Sequence, residues 1–320
     1  MPVIVVAGPT ASGKSALAME IAEAFRGVVI NADSMQVYAD LRVLTARPSE
    51  ADERRVPHRL YGVLDGSEKC SAGRWREMAL AEIARARASG LLPVLCGGTG
   101  LYLQALMHGI APVPAVPDNI RQQATALHAQ LGGPGFHARL AERDPVMAAR
   151  LHPGNTQRLI RAWEVMDATG RSLAAWQEDS RKGGHMGAAA GLDFLSFVLL
   201  PARAPLSAAC DGRFRQMVEA GALEEVRALV ARGLDPALPV MKALGVRELA
   251  AYLAGEIGLE EAIDRAQRET RRYAKRQMTW FRHQMEDAMR IETGYGAKYS
   301  VSPRDEIFSK IRQSGLTATI

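Results

Sequence analysis

A glycine-rich loop between an apolar run and a helical pattern is the feature that most constrains this fold. Residues 8–15 read GPTASGKS, after the β-branched run VIVVA at 3–7 and before a helical pattern over 16–25. Glycines let such a loop wrap a phosphate group, the backbone amides and the helix N-terminus supply partial positive charge, and Lys14 adds a full charge. The hydroxyl of Ser15 suits Mg²⁺. The sequence therefore predicts a P-loop that binds a diphosphate or a triphosphate.

Further apolar runs alternate with helical patterns along the chain. Short runs typical of buried strands occupy 28–30, 92–96 and 194–200, and a helical pattern over 74–88 precedes the second of them. Strands that alternate with helices favour a parallel sheet. We therefore predict an α/β fold: a P-loop parallel sheet flanked by helices, with an inserted all-helical subdomain.

Proline and helix patterns mark the limits of that insertion. Three prolines lie in 111–118, helices with polar faces follow to residue 182, and the glycine-rich stretch 183–191 has the composition of a loop. We assign a core, a helical insertion and a loosely attached C-terminal tail. Their limits are 1–115 with 194–293 for the core, 116–193 for the insertion and 294–320 for the tail.

Composition places the chain among ordinary globular proteins. Hydrophobic residues make up 48% and charged residues 23%, and the mean hydropathy is −0.09, which excludes a disordered or fibrous chain. No apolar stretch is long enough to span a membrane and no cation precedes Lys14, so we expect a cytoplasmic protein. Three separated cysteines and seven scattered histidines argue against a zinc ribbon, a disulfide framework or a histidine metal site. The net charge of +5 permits a nucleic-acid partner.

One acidic residue stands at the end of a predicted strand. Asp33 follows the run at 28–30, whereas the strand ending at Cys96 runs into Gly-Gly-Thr-Gly and carries no acid. A motor or switch ATPase would place a Mg²⁺-binding acid there, so its absence counts against those classes. Strand ends line the site in open α/β sheets, which makes the Asp33 carboxylate a candidate base or substrate anchor. A helix cap or a loop-stabilising Asx turn is the alternative.

Two helical segments have the pattern of RNA-facing surfaces. In 265–283, seven Arg or Lys residues stand against one Glu, and Arg268, Arg272 and Arg276 share one helical face. A basic face of this kind suits phosphate contacts, and a solvated charged helix is the alternative. The second segment, 155–166, has by itself the spacing of an ordinary amphipathic helix.

The motifs taken together resemble the tRNA dimethylallyltransferase, or isopentenyl-tRNA transferase, family over nearly the whole chain. One departure is Val246, which stands where the family has tyrosine. The motifs that carry the resemblance are GPTASGKS (8–15), NADSMQVY (31–38), PHRL (57–60), GGTGLY (97–102), NTQRLIRAWEV (155–165), RFRQM (213–217) and KRQMTWFRH (275–283).

The resemblance implies an alkyl transfer. The donor is dimethylallyl diphosphate, the acceptor is N6 of the adenosine at position 37, next to the tRNA anticodon, and the cofactor is Mg²⁺ on Ser15. The P-loop, although typical of nucleotide-binding proteins, then holds the diphosphate of the donor. ATP at most competes with the donor for this site. We expect a monomer that does not associate with a membrane and whose partners are tRNA and the donor. The resemblance also implies that the insertion at 116–193 binds the tRNA anticodon arm.

Roles for individual residues also follow from the resemblance. It implies that Asp33 takes the N6 proton, that Thr10 lies against the bridging oxygen of the donor, and that Lys14 and Arg213 neutralise the diphosphate. The implied diphosphate site is Gly8, Pro9, Thr10, Ala11, Ser12, Gly13, Lys14 and Ser15. The implied tRNA-binding set is Asp33, Ser34, Met35, Gln36, Thr99, Arg121, Gln157, Arg158, Leu159, Ile160, Arg161, Lys275, Arg276, Gln277 and Trp280.

Three other functions remain open on the sequence. A P-loop small-molecule kinase shares the loop and the strand-end acid but does not explain DSMQVY or the basic helix. A free-nucleotide isopentenyltransferase has less need of a helical insertion. A non-catalytic RNA-binding protein needs neither Lys14 nor Asp33.

Overall fold

A computed structural model describes residues 1–182, 191–295 and 303–315 of the chain. The chain forms two compact units, one of Met1–Met107 with Gly191–Ile320 and the other of His108–Ala190. The second unit begins within a few residues of the proline-rich stretch 111–118. The predicted loop at 183–191 lies outside the described residues except for Gly191.

The first unit contains a parallel sheet. Its strands over the described residues are β1 (Val3–Ala7), β2 (Gly27–Asn31), β3 (His58–Arg59), β4 (Leu92–Gly97), β5 (Phe194–Leu199) and β6 (Met289–Ile291). They pair in the order β3-β2-β4-β1-β5-β6, and every pairing is parallel. The predicted α/β class is therefore confirmed. The two outer strands have two and three residues, too few for a periodic pattern, and were not predicted.

Helices connect the strands and build the second unit. Those of the described residues are α1 (Lys14–Ala24), α2 (Glu50–Arg55), α3 (Ala72–Ala88), α4 (Gly100–His108), α5 (Asp118–Arg143), α6 (Pro145–Arg150), α7 (Thr156–Thr169), α8 (Leu173–Lys182), α9 (Arg203–Met217), α10 (Leu223–Ala231), α11 (Val246–Leu253), α12 (Leu259–Gln284) and α13 (Arg304–Gln313). Every helix in the described part of the chain is too short or too polar to cross a membrane.

The sheet is buried on both faces. Along β1, Val3 and Val5 join one hydrophobic core while Ile4 and Val6 join the other, and all four are fully buried. Successive side chains of a strand point to opposite faces, so a strand covered on both sides is apolar throughout. This burial explains the unbroken apolar run that precedes the glycine-rich loop.

The predicted loose attachment of the tail at 294–320 is wrong for residues 303–315. Within α13, Ile307, Phe308 and Ile311 are buried in the second core. The rings of Phe308 and Phe25 meet edge-on, with centroids 5.4 Å apart. The apolar spacing 307, 308, 311 is that of a packed helix face, and its burial holds this segment against the sheet unit.

The second unit has its own small core, formed by α5, α6, α7 and α8. Phe136 and Leu140 of α5 pack there with Leu159 and Ala162 of α7. Helix α5 bends at Gly132, whose φ of 67° lies outside the helical region. The apolar stripe of α7 is what makes 155–166 amphipathic.

Candidate active site

The glycine-rich loop, residues 8–15, connects β1 to α1 and is closely packed. Gly13 has a φ of 87°, and a Cβ there would lie 1.8 Å from the carbonyl oxygen of Tyr295. The Tyr295 amide also donates to the Ser12 carbonyl oxygen at 2.8 Å. Glycine is required at position 13 by both conformation and contact. The sequence pointed to phosphate binding, and the structure adds the C-terminal segment as a support of the loop.

Lys14 begins α1 and its ammonium group lies within the loop. Its Nζ donates to the Pro9 carbonyl oxygen at 3.3 Å. Burial lowers the pKa of Lys14, the charge of Arg213 lowers it further, and the charge of Asp33 raises it. Lys14 is half-buried, and a partly desolvated cation gains most from an anion placed next to it.

The Ser15 hydroxyl is the nearest candidate for Mg²⁺. Ser15 is exposed, and the Cys96 thiol lies 4.0 Å from its Oγ. In the described part of the chain no group of three or more His, Cys, Asp or Glu side chains could hold a metal. Mg²⁺ binds well through one protein oxygen together with ligand phosphates and water. The residues present therefore fit a metal ion that arrives with a diphosphate.

Asp33 sits in a turn directly after β2. Its Oδ1 accepts a hydrogen bond from the Met35 amide at 3.0 Å, which is the Asx turn considered as the alternative. The buried Asn31 side chain accepts from the Asp33 amide at 2.7 Å and donates to the carbonyl oxygens of Asp33 and Leu60, each at 3.0 Å. The Asx turn does not exclude a role in the site, because Asp33 also lines a cavity. Asn31 is thus a supporting residue that the sequence analysis missed.

A cavity of about 300 Å³ adjoins the glycine-rich loop. It brings together three residues predicted as catalytic, Thr10, Asp33 and Arg213. Arg213 Nη2 donates to Thr10 Oγ1, which ties α9 to the loop. Further lining residues are Ser34, Met35, Leu44, Thr45, Cys210, Phe214, Met217, Lys242, Ala243, Leu244, Thr270, Tyr273 and Arg276.

Ser34 and Tyr273, which line this cavity, belong to a polar cluster with Thr99. Thr99 Oγ1 accepts from the Ser34 amide at 2.9 Å and donates to Ser34 Oγ at 3.2 Å. Burial raises the pKa of Tyr273, the charge of Asp33 raises it further, and a hydrogen bond with Thr99 opposes the shift. The Arg276 guanidinium lies 5.6 Å from the centre of the Tyr273 ring. Tyr273 was not predicted as a site residue, although its position three residues before Arg276 placed it beside the basic face.

The structure gives Gln277 a different contact from the predicted one. Its side chain is 6% exposed, accepts from the Thr10 amide at 2.9 Å and donates to the Gly98 carbonyl oxygen at 2.8 Å. The side chain is thus buried and hydrogen-bonded at both ends, and the tRNA contact of Gln277 stays a prediction. Trp280 is half-buried, and a Cβ on Gly100 would lie 2.4 Å from its ring. The GGTGLY motif (97–102) and the KRQMTWFRH motif (275–283) therefore pack against each other.

The other predicted tRNA residues of the first unit differ in exposure. Gln36 donates through Nε2 to the carbonyl oxygens of Thr45 and Ala46, both at 2.8 Å, and so holds a loop that lines the cavity. Lys275 and Arg276 are exposed on α12.

The basic face of α12 divides between two cavities. Arg276 lines the first cavity, whereas Arg268 and Arg272 line a second one of about 770 Å³ between α9 and α12. The arginines of this predicted face therefore line two different cavities.

In the second unit the predicted residues also separate by burial. Gln157 and Arg158 are exposed and Ile160 is half-buried. Leu159 is fully buried in the core of the unit, and its predicted tRNA contact stays a prediction. Arg161 reaches the carboxylate of Glu164 as an i,i+3 pair on α7. Arg121 reaches the same carboxylate from α5, and no local sequence pattern predicts that contact.

The fold and the site define a class: an α/β protein with a strand–loop–helix of the P-loop type and a cavity at the carboxyl edge of a parallel sheet. A family model described as IPP transferase matches residues 36–284, and one described as isopentenyl transferase matches residues 1–69. The chain belongs to the IPP transferase family.

Individual relatives span almost the full chain. A tRNA dimethylallyltransferase of Rhodospirillum centenum is 59% identical over 92% of both chains, and one of Paramagnetospirillum magneticum is 56% identical over 99% of this chain and 98% of its own. The solved structure of a tRNA isopentenylpyrophosphate transferase from Bacillus halodurans is 31% identical, with a TM-score of 0.68 over 98% of this chain and 95% of its own. A eukaryotic dimethylallyltransferase acting on tRNA is 26% identical, with a TM-score of 0.80 over 100% of this chain and 81% of its own.

Proposed function

We propose that this chain transfers the dimethylallyl group of dimethylallyl diphosphate to N6 of an adenosine in tRNA, at position 37 next to the anticodon, and releases diphosphate. The observation that carries the proposal is the cavity in which Thr10, Asp33 and Arg213 meet beside the glycine-rich loop. Relatives at 56% and 59% identity are named tRNA dimethylallyltransferase, which supports the same reaction.

The reaction breaks one bond and forms another at the same carbon. The C1–O bond of the donor breaks with its electron pair going to diphosphate, and the lone pair of adenine N6 forms the new N–C1 bond. That lone pair is delocalised into the ring, so the amine is a weak nucleophile and the allylic carbon must carry positive charge as the diphosphate leaves. The surplus N6 proton goes to the Asp33 carboxylate, which acts as the general base.

Stabilisation of the departing diphosphate falls to the loop and to α9. Lys14 and Arg213 supply full charges, and the backbone amides of residues 8–15 supply partial ones. Thr10 lies next to one of these charges, since it accepts a hydrogen bond from Arg213 and lines the cavity. When bound at Ser15, Mg²⁺ neutralises further negative charge on the diphosphate.

Other lining residues of the cavity suit an adenine ring. Ser34 and Tyr273 offer hydroxyl groups, Thr99 hydrogen-bonds Ser34, and Met35 and Arg276 offer surfaces on which a base can stack. A base inside a stacked loop cannot reach Asp33, so the target nucleotide leaves its stack to react. The anticodon arm contacts the half-exposed Arg161 and five exposed residues, Arg121, Gln157, Arg158, Lys275 and Arg276. In line with the expectation from the sequence, we propose that a monomer acts, in the cytoplasm.

The test is a transfer assay with the label in the dimethylallyl group of the donor. Parallel incubations contain bulk tRNA, AMP, ADP or ATP, and the Lys14→Ala variant serves as the inactive control. We expect label in tRNA, released diphosphate and no requirement for ATP. Label in free nucleotides alone assigns the chain to the free-nucleotide prenyl transferases, and turnover that needs ATP hydrolysis contradicts prenyl transfer.

A further inference from the structure

A buried carboxylate in the second unit holds two arginines that come from different helices. Glu164 of α7 is 2% exposed. Its Oε2 lies 3.3 Å from Nη1 of Arg161, one turn earlier on the same helix, and its Oε1 lies 3.5 Å from Nε of Arg121 on α5. The arginine side chains are 43% and 63% exposed. The Arg161 contact is a hydrogen bond, whereas the Arg121 contact is an ion pair without one. One inward-facing charge thus attracts two outward-facing ones.

Stability alone does not account for an acid at this place. Burying a carboxylate carries a desolvation cost of several kcal/mol, and attraction to half-exposed arginines recovers only part of it. An apolar side chain on the buried stripe of α7 would pack with no such penalty. The acid is therefore best explained by what it does to the two guanidinium groups.

The contacts leave most guanidinium donors available. An arginine has five N–H groups, and the carboxylate engages Arg161 through Nη1 and Arg121 through Nε. Both arginine side chains are substantially exposed, which leaves their remaining N–H groups accessible to a ligand. An arginine already held in place loses less side-chain entropy when it binds a phosphate than a freely rotating one does.

We infer that Glu164 is a positioning residue for tRNA binding: it holds Arg121 and Arg161 side by side so that their free N–H groups meet neighbouring phosphates. This inference rests on the proposed function, because it takes the RNA as the ligand of these arginines. Glu164 itself touches no substrate and takes no part in the transfer.

Charge and positioning predict opposite results when the acid is neutralised. Glu164→Gln removes a negative charge next to an RNA-binding surface, so Coulomb attraction alone would tighten tRNA binding. Loss of positioning instead weakens it. We expect about 5–30-fold weaker tRNA binding, since two rotamer-rich side chains must then be ordered during binding. Donor affinity and the transfer rate at saturating tRNA stay as in the wild type, so KM for tRNA rises while kcat does not.

A matched control removes the same charge elsewhere on the unit. Glu142 of α5 pairs with Arg139 at 2.8 Å, and both side chains are about 60% exposed. Glu142→Gln should leave tRNA binding within twofold of the wild type or slightly tighter. Wild-type or tighter binding by Glu164→Gln would overturn the inference.

A second measurement separates positioning from misfolding. In the Arg121→Ala/Arg161→Ala background, adding Glu164→Gln should not weaken tRNA binding further, because the residue acts through those two side chains. A further loss in that background contradicts the inference. If Glu164→Gln does not fold, Glu164→Asp keeps the charge but is too short to reach both arginines, and we expect the same weakened binding. Wild-type affinity in this variant overturns the inference.

Failure of the proposed function has a different signature. It would appear in the wild type, as tRNA that binds but receives no dimethylallyl group. The comparison of Glu164→Gln with the wild type depends on binding alone and can still be made in that case.

Discussion

The side chains of Asp33 and Arg161 are held in place by different kinds of interaction. Asp33 is held by backbone and side-chain hydrogen bonds, and the buried Asn31 fixes its turn. Arg161 is half-exposed and is held by one ion pair with Glu164. A reacting group has to keep its position within fractions of an ångström, whereas a phosphate contact works through charge over longer distances. The first region should therefore respond sharply to small changes, and the second one gradually.

The largest effect should come from removing the proton acceptor. Asp33→Asn keeps the size of the side chain and can still accept the hydrogen bond from Met35, but it cannot take the N6 proton. We expect the single-turnover rate to fall by about 10²–10⁴. Asp235→Asn is the matched control, because Asp235 also accepts a backbone hydrogen bond two residues on, at 2.8 Å, and lines neither described cavity. Equal rates for the two variants would remove Asp33 from the chemistry.

Removal of the loop cation comes next. Lys14→Ala deletes a charge that interacts more strongly with departing diphosphate than with the bound donor. We expect a transfer rate about 10²–10³ lower, with the variant folded as judged by its melting temperature. Lys310→Ala, at an exposed position on α13, should match the wild type. Retention of the rate by Lys14→Ala would show that the loop does not stabilise the leaving group.

Gln277 tests whether the two regions are separate. Gln277→Met keeps the length but leaves the Thr10 amide and the Gly98 carbonyl without their partner, at about 1–3 kcal/mol each. We expect a lower melting temperature and roughly 10-fold to 100-fold weaker binding of diphosphate. Affinity for tRNA should stay within twofold, since this side chain is buried. A selective loss of tRNA affinity would instead support the tRNA contact of Gln277 that the sequence predicts.

Arginine variants of α7 should give smaller, graded effects. Arg158→Ala and Arg161→Ala should each weaken tRNA binding up to about tenfold and flatten the log–log salt slope by up to roughly 1. Arg139→Ala, at a 60% exposed position of α5, is the control. Unchanged affinity and slope in both α7 variants would mean that these are solvated arginines.

The smallest effect concerns pH. Burial lowers the pKa of Lys14, so the free enzyme loses this charge at a lower pH than an exposed lysine would. A bound diphosphate favours the charged form, and its affinity should therefore fall as pH rises through that lowered pKa, by up to about tenfold per pH unit. Calorimetry with diphosphate at rising pH measures the fall. Lys14→Ala should lack it, and an identical pH profile in the variant would point to another group.

Local pattern predicted the centre of the sheet but not its edges. The strand–loop–helix at 3–25 could be recognised because each part is long enough to show its period. The outer strands β3 and β6 have two and three residues, and their pairing is decided by tertiary contacts alone.

The same limit applies to the site. Asp33 was identified by its position after a strand, Lys14 by the loop pattern, and Thr10 by the family resemblance. The contact of Gln277 with Gly98 joins residues 179 positions apart, and that of Glu164 with Arg121 joins two helices. Nothing local distinguishes a buried glutamine or an inward-facing glutamate from a solvated one, so their roles needed the structure.

The most direct test of the account compares the two regions in one experiment. Single-turnover transfer and tRNA affinity are measured side by side for Asp33→Asn and for Arg158→Ala/Arg161→Ala, with donor saturating. We expect Asp33→Asn to bind tRNA within tenfold of the wild type and to stay slow at saturating tRNA. The arginine variant should bind weakly and recover the wild-type rate once tRNA saturates it. A rate that stays low in the arginine variant, or a near-normal rate in Asp33→Asn, would contradict the division of labour between the two regions.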